Sequence, residues 1–303
     1  MIYTCTLNPS IDYLVEVENL SLGSLNRTNK TFFYPGGKGI NVSRVLRRLG
    51  VDNQALGFIG GFTGGFIKDF LEREGISHQF IEHDEPTRIN IKLKEAQETE
   101  INGSGSFING SQKEELYKLV EGLTSSDYFV LAGSYPPSIS LDYYKSLASL
   151  CQEKGIPFIV DVSGPPLKEV LQYRPLVIKP NQHELSELVG KEISSKEEAI
   201  TFGRQLLANG PQNIIISMGG EGAVLVNDEV TLVASVPKGT VKNSVGAGDS
   251  TVAGFLASLV QGGTIAEAFQ HGVASGTATA FSTDLCTEED VRNILSQVKI
   301  KTL

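Results

Sequence analysis

What most limits the fold of this chain is an alternation along its length. Short runs rich in apolar and β-branched residues, Ile2 to Leu7, Ala55 to Ile59, Tyr128 to Ala132, Phe158 to Val160, Leu176 to Ile178 and Ile214 to Ile216, are separated by segments with helical apolar spacing. Those segments place Val42, Val45, Leu46 and Leu49 before Gly50, Phe66 to Leu71 before Gly75, Leu116 to Leu123, Tyr143 to Leu150 before Gly155, and Ala199 to Leu207 before Gly210. Runs that are apolar at every position are buried on both faces, so the order β-α-β predicts a mostly parallel sheet covered by helices on both sides, a three-layer α/β/α arrangement. Capping-box spelling at Ser111-x-x-Glu114, Ser194-x-x-Glu197 and Thr264-x-x-Glu267 predicts helix starts. The 303 residues contain no low-complexity linker and no repeat, which predicts one continuous main domain.

Two stretches interrupt the rhythm. Ile11 to Val17 and Arg27 to Tyr34 have strand character around a turn at Gly23, Arg88 to Lys94 alternates polar and apolar residues at period two, and a further extended piece follows between Glu98 and Phe107. Half-buried strands of this kind do not belong in a parallel core. They predict a small inserted β-sheet, a lid, formed by residues 11–35 and 87–105, with the main domain taking 1–10, 36–86 and 106–303. In the period-two stretch Arg88, Asn90 and Lys92 share one face, and Ile89, Ile91 and Leu93 the other, to which Tyr13, Val15 and Val17 add an apolar row. A lid that turns its polar face to a site leaves that row without cover, and pairing with a second copy predicts a homodimer joined through the lid.

Composition excludes several functions. A formal net charge of −9 is a poor match for a nucleic-acid backbone. The N-terminus has no basic stretch followed by an apolar one, and no later apolar stretch is long enough to span a membrane, so a cytoplasmic protein without a membrane partner is expected. Cys5, Cys151 and Cys286 are odd in number and widely spaced, which fits buried thiols rather than a disulfide framework or zinc site. The chain contains no GxxxxGK[ST], no GxGxxG and no HExxH.

Chemistry concentrates at two glycine turns, each running into a helix. In Asn243-Ser-Val-Gly-Ala-Gly-Asp-Ser250, Val252, Phe255, Leu256, Leu259 and Val260 mark a helix whose first turn lies near Ala247 to Asp249. Amides of a first turn have no intrahelical acceptor and carry partial positive charge, and Gly246 and Gly248 permit close approach, so the turn is suited to hold a phosphoryl group. Asp249 stands where it can take a proton from an attacking hydroxyl; the plainer reading of the same letters is a turn with an aspartate N-cap. The second turn, Tyr34-Pro-Gly-Gly-Lys-Gly-Ile-Asn41, joins exposed backbone at Gly36 and Gly37 to a cation, Lys38. Asn181-Gln-His-Glu184 spells a capping box after the strand that ends in Lys179-Pro180, at a sheet edge where ligands gather. Ser217-Met-Gly-Gly-Glu-Gly222 follows another strand and serves equally as a hairpin turn.

Taken together, in this order and over essentially the whole chain, these blocks resemble the ribokinase-like, PfkB-type sugar kinases. The resemblance implies ATP and Mg2+ as cofactors and Asp249 as the catalytic base, with Gly246, Ala247 and Gly248 forming the anion hole. Asp12, Gly36, Gly37 and Asn41 would hold the sugar. Thr6-Leu-Asn-Pro-Ser-Ile-Asp12, Leu25-Asn-Arg27 and Thr87-Arg-Ile-Asn90 look like the phosphosugar branch, in which Arg27, Lys38 and Arg88 would bind a phosphate already on the sugar. The nucleotide would lie along Lys179, Asn181, Ser217, Gly219, Gly220, Gly222, Gly248 and Asn243, with Asn181 and Glu184 beside the metal. The expected reaction is phosphorylation of fructose 1-phosphate at O6. Tagatose 6-phosphate and fructose 6-phosphate are alternative substrates, and a non-catalytic sugar-phosphate sensor is a remoter one, for which an intact Asp249 is unnecessary. A helix N-terminus favours the ionised carboxylate, so the expectation from sequence is a weak base at Asp249.

Overall fold

The computed structural model describes residues 1–95 and 98–303. The larger sheet is built from β1 (Ile2–Thr6), β4 (Asn53–Gly60), β5 (Ser77–His83), β8 (Tyr128–Ala132), β9 (Phe158–Asp161), β10 (Val177–Ile178), β11 (Asn213–Ser217), β12 (Ala223–Asn227), β13 (Thr231–Ser235) and β14 (Lys299–Thr302). Its order is β14-β13-β12-β11-β10-β9-β8-β1-β4-β5. All pairs from β5 to β11 are parallel, β11 to β13 continue as antiparallel hairpins, and β14, from the far end of the chain, pairs antiparallel with β13.

The strands alternate between two cores. Phe129, Leu131, Ile214 and Ile216 pack into one, whereas Val130, Ala132, Ile159 and Ile215 pack into the other. The first core is closed by α3 (Gly110–Glu121), α4 (Leu141–Lys154), α5 (Pro165–Val170), α6 (Gln182–Val189) and α7 (Lys196–Leu207) through Leu116, Leu147, Leu167, Leu185 and Ala199. The second is closed by α1 (Lys38–Arg48), α8 (Ala247–Val260), α9 (Ile265–Ala280) and α10 (Glu288–Leu295). Continuous apolar runs therefore have the two-sided burial that their composition demands. α2 (Gly61–Arg73) covers the β4–β5 edge, where Ile67 and Leu71 are fully buried.

The smaller sheet has the order β3-β2-β6-β7, from β2 (Ser10–Glu16), β3 (Lys30–Gly36), β6 (Ile89–Lys94) and β7 (Glu98–Asn102). Its register pairs Asp12 with Asn90, Leu14 with Lys92 and Glu16 with Lys94, so these side chains share one face.

Helix starts differ from two of the capping-box readings. At α3 the box is Asn109 with Gln112, two residues earlier than Ser111 with Glu114, because Asn109 has the extended backbone that a cap needs. At α7 the cap is Ser195, bonded to the Glu198 amide, and Ser194 instead donates its amide and hydroxyl to the Glu198 carboxylate. Thr264 with Glu267 and Asn181 with Glu184 form reciprocal boxes.

Candidate active site

The helix behind the first glycine turn begins at Ala247, and its N-cap is Gly246 at φ 78°, a left-handed conformation that side chains avoid. A Cβ there would also lie 2.4 Å from Leu285 Cδ2. Asp249 is thus the third residue of α8 and not its cap. Its carboxylate accepts from Asn41 Nδ2 at 2.8 Å. The Ala247 amide donates to Ser244 O at 3.3 Å and the Ser250 amide to Gly246 O at 2.8 Å, which leaves the amides of Gly248 and Asp249 for a ligand. α8 is buried on nearly every side from Asp249 to Ser258. Gly254, Gly272 and Gly276 make room where α8 and α9 touch, and a Cβ on any of them would come within 3.0 Å of the facing helix.

Facing that turn is a group of buried charges. Asp161, at the carboxyl end of β9, is 2% exposed and takes Lys38 Nζ at 3.0 Å and Lys179 Nζ at 3.5 Å. Its second oxygen, Oδ2, is buried without a partner. Burial pushes the Asp161 carboxyl up, but Lys179 and Lys38 outweigh it and hold it below the usual carboxylate range. Lys38 also stands 4.0 Å from Glu184, and Asp161, Asp249 and Glu184 together hold its ammonium above the ordinary lysine value despite burial. Lys179 reaches the first turn of α8: a Cβ on Gly248 would lie 2.9 Å from its Nζ.

For Asp249 the balance goes the other way from the helix-dipole expectation. Burial, and then the charge of Asp161, push its carboxyl up to about 6, against the opposing effects of Lys38, the Asn41 bond and Lys179. A carboxylate with a value near neutrality is a better proton acceptor than one held low by a helix end.

The second glycine turn meets the first from the lid side. Gly37, at φ 116°, is the N-cap of α1, which carries Lys38 and Asn41 into the site. Gly36 closes β3 beside Asp12, whose Oδ1 accepts from Ser10 Oγ at 2.8 Å and Asn90 Nδ2 at 2.9 Å; a Cβ at Gly36 would meet that oxygen at 2.5 Å. Between lid and main domain lies a cleft of about 300 Å³, lined from the lid by Asp12, Tyr34 and Lys92 and from below by Asn41, Asn243 and Asp284.

Arg88 and Arg27 are placed differently. Arg88 donates to the carbonyls of Pro9, Gly103 and Asn8 at 3.3, 2.8 and 2.9 Å and to Ser134 Oγ at 3.2 Å, tying the lid to β1's following loop. Arg27 is exposed in the β2–β3 connection and does not line the cleft. Asn243 lines the lid-facing cleft, its amide on Thr283 O at 3.4 Å. On the opposite flank, a parallel bridge joins Asn181 to Ser217, and the glycine turn bends β11 back into β12, with φ 55° at Gly219 and 97° at Gly222. Nothing lies within 4 Å of where Cβ atoms would stand on Gly219 or Gly220, which leaves an open floor beside Asn181.

Sequence reasoning missed Asp161. Its signal was an acid ending the buried run Phe158-Ile-Val-Asp161, at the carboxyl edge of a parallel strand. Arg44 and Asp284 were missed as well, and only the fold brings them to the cleft, whereas Lys92 lies on the polar lid face that the period-two pattern turned towards a site.

A three-layer α/β/α domain with an inserted lid, and a group of lysines and free helix amides around a raised carboxylate, suit an enzyme that moves a phosphoryl group. The pfkB family carbohydrate kinase model matches residues 6–291, and the chain belongs to this family. It is 48% identical over its full length, and the relative's, to the 1-phosphofructokinase of Bacillus subtilis. It is 38% identical, with both chains fully covered, to the D-tagatose-1-phosphate kinase of Bacillus licheniformis. The crystal structure of Escherichia coli phosphofructokinase-2 in complex with substrates and products superposes with a TM-score of 0.93 at 30% identity, covering 97% of this chain and 98% of that one. The protein is a carbohydrate kinase, a phosphotransferase that uses ATP. No helix among the described residues is long and apolar enough to cross a membrane.

Proposed function

We propose that this kinase phosphorylates fructose 1-phosphate at O6 to give fructose 1,6-bisphosphate. The observation that carries the reading is Asp249, buried, raised to about 6 and held by Asn41 directly beside two free amides of α8. Asp12, Gly36, Gly37 and Asn41 position the sugar. Asp249 Oδ takes the proton of the 6-hydroxyl as its oxygen attacks the γ-phosphorus in line, and the P–O bond to ADP breaks. The amides of Gly248 and Asp249, with Lys179, receive the charge on the transferring group. Lys38 and Arg88 supply cations for the phosphate already on the sugar, whereas Arg27, exposed and outside the cleft, is not placed to reach it; of the five N–H groups of Arg88, one remains beyond the four bonds named above.

The nucleotide lies along Asn181, Ser217 and the open turn at Gly219, Gly220 and Gly222. Mg2+ typically uses one or two carboxylates and completes its shell with water and phosphate oxygens. Among the described residues no group of three acidic, His or Cys side chains gathers, but the orphaned Asp161 Oδ2 and the neighbouring Glu184 fit that mode. Glu184 and Asn181, with the Asp161 carboxylate on the same Lys38 ammonium as Glu184, would hold the ion, which, when bound, neutralises phosphate charge.

The lid supports assembly as a homodimer. Phe33, Ile89 and Ile101, on the face away from the cleft, are 49%, 40% and 58% exposed, and only part of that face is met by α2, through Phe66 at 6.4 Å from Phe33.

The relatives divide by substrate, since one is named for fructose 1-phosphate chemistry and another for D-tagatose 1-phosphate. A coupled ADP-release assay across fructose 1-phosphate, tagatose 1-phosphate, fructose 6-phosphate and tagatose 6-phosphate decides. The highest kcat/KM is expected for fructose 1-phosphate; a higher value for any other ketose phosphate overturns the assignment.

A further inference from the structure

Two guanidiniums and two carboxylates form a cluster that the reaction just described leaves unused. Arg44 and Arg48 lie one turn apart on α1. Arg44 is 2% exposed, and four of its five N–H groups are bonded to carboxylates. Nε and Nη2 donate to the two oxygens of Glu74 at 2.9 and 3.0 Å, and Nη1 and Nη2 to the two oxygens of Asp284 at 3.4 and 3.0 Å. Arg48 Nη2 donates to the same two carboxylates at 3.0 and 2.8 Å, and its Nη1 donates to the Leu285 carbonyl. Burial would raise the Asp284 carboxyl, but Arg44 and Arg48 hold it below the usual range, so it stays ionised.

The cluster joins three pieces of chain: α1, the residue after α2, and the segment that follows α9. That last segment supports the glycine turn. Leu285 packs against Gly246, Thr283 O accepts from Asn243, and the Cys286 amide donates to Thr279 Oγ1 at 3.0 Å, itself 2.7 Å from Ser250 Oγ of α8. From the other side, α1 carries Asn41 to Asp249 one turn before Arg44. One side of the cluster therefore bears on Asn243, Gly246 and Ser250 and the other on Asp249, residues that bracket the first turn of α8.

We propose that Arg44, Arg48, Glu74 and Asp284 are positioning residues, a clamp that fixes α1 against Thr283–Cys286 and so aims the α8 amides and the Asp249 carboxylate at the transferring phosphoryl group. This rests on the kinase reading above. Buried ion pairs contribute little stability over apolar packing of the same volume, so stability alone is a weak account of a buried Arg44 held by three partly buried partners. Paired forks differ from apolar contacts in having a narrow geometry: a slide that greasy surfaces tolerate breaks bidentate bonds. Phosphoryl transfer rewards that narrowness, because a displacement of ~1 Å costs about 10²-fold in rate.

The test is Asp284→Asn, which keeps size and one acceptor oxygen while removing the charge, measured beside Glu74→Gln, whose side chain is 23% exposed. For each, kcat, both KM values and thermal stability are determined, with affinities for ADP alone and for ADP with aluminium fluoride, a mimic of the phosphoryl group in flight. The clamp predicts a fall in kcat of about 10- to 100-fold with little change in either KM. ADP–aluminium fluoride binding weakens by a similar factor while ADP alone binds as before. Arg47→Ala, on the same helix but in an exposed pair with Asp52, keeps the wild-type kcat. Unchanged kcat in whichever of the two variants folds, or equal losses for ADP and its aluminium fluoride complex, overturns the clamp. Absence of kinase activity in the wild type would instead remove the functional reading, a distinguishable result.

Discussion

Asn41 and Asp249 are 208 positions apart in the chain and share a buried hydrogen bond of 2.8 Å, which joins the two glycine turns into one site. The bond stabilises the ionised form of a carboxyl that burial and Asp161 push up to about 6.

The rate therefore has a defined acid limb. Asp249 must be ionised to accept a proton, so kcat rises with pH through about 6 and levels above it. Lys38 and Asn41 both lower the Asp249 value, so Lys38→Met and Asn41→Ala move the limb to higher pH as well as slowing turnover. A pH–rate profile of the three proteins checks this, and an unchanged limb in both variants would rule Asp249 out as its source.

The same shift has a thermodynamic sign. Asp249 is raised above its unfolded value of 3.8, so the folded state binds the proton more tightly; its contribution is fully present below that value and is lost as pH rises through about 6. At pH 8 the wild type carries a buried charge at a cost that Asp249→Asn removes. Tm of that variant should be higher by a few degrees, about the shift expected of a 1 kcal/mol gain in a chain this large, and the difference should vanish near pH 4. Differential scanning calorimetry at the two pH values reads it; a lower Tm at pH 8 would contradict it.

Much of this arrangement was legible. Apolar runs such as Ile214 to Ile216 identify buried parallel strands directly, and the spelling of Gly246 to Asp249 and Gly36 to Asn41 marks two helix starts with open backbone. β5 was not legible, because an edge strand such as Ser77–His83 carries Ser77, Gln79 and Glu82 on its exposed positions and has no continuous apolar run. The start of α2 was hidden for a different reason: Gly61-Phe-Thr-Gly-Gly65 has the composition of a loop, and packing of Ile67 and Leu71 overrides that preference. Local spelling also carried the wrong direction for the Asp249 pKa. The helix end is visible in sequence, whereas Asp161, 88 positions earlier in the chain, enters only through the sheet.

The lid predicts oligomeric state. Light scattering at micromolar concentration should give a mass near twice that of the chain. Ile101→Asp, which puts a charge at the most exposed apolar site of β7, should shift it towards one chain with weakened activity. A monomeric wild type would remove the lid pairing.

The central claim is that Asp249 is the base, and it is tested most directly by measuring kcat and ATP affinity of Asp249→Asn together at pH 8. Loss of a general base costs ~10²- to 10⁴-fold in turnover, and because the amides of Gly248 and Asp249 remain, ATP should bind nearly as it does to the wild type. A variant that turns over within a few-fold of the wild type, or that loses ATP binding in proportion to its rate, would contradict the assignment.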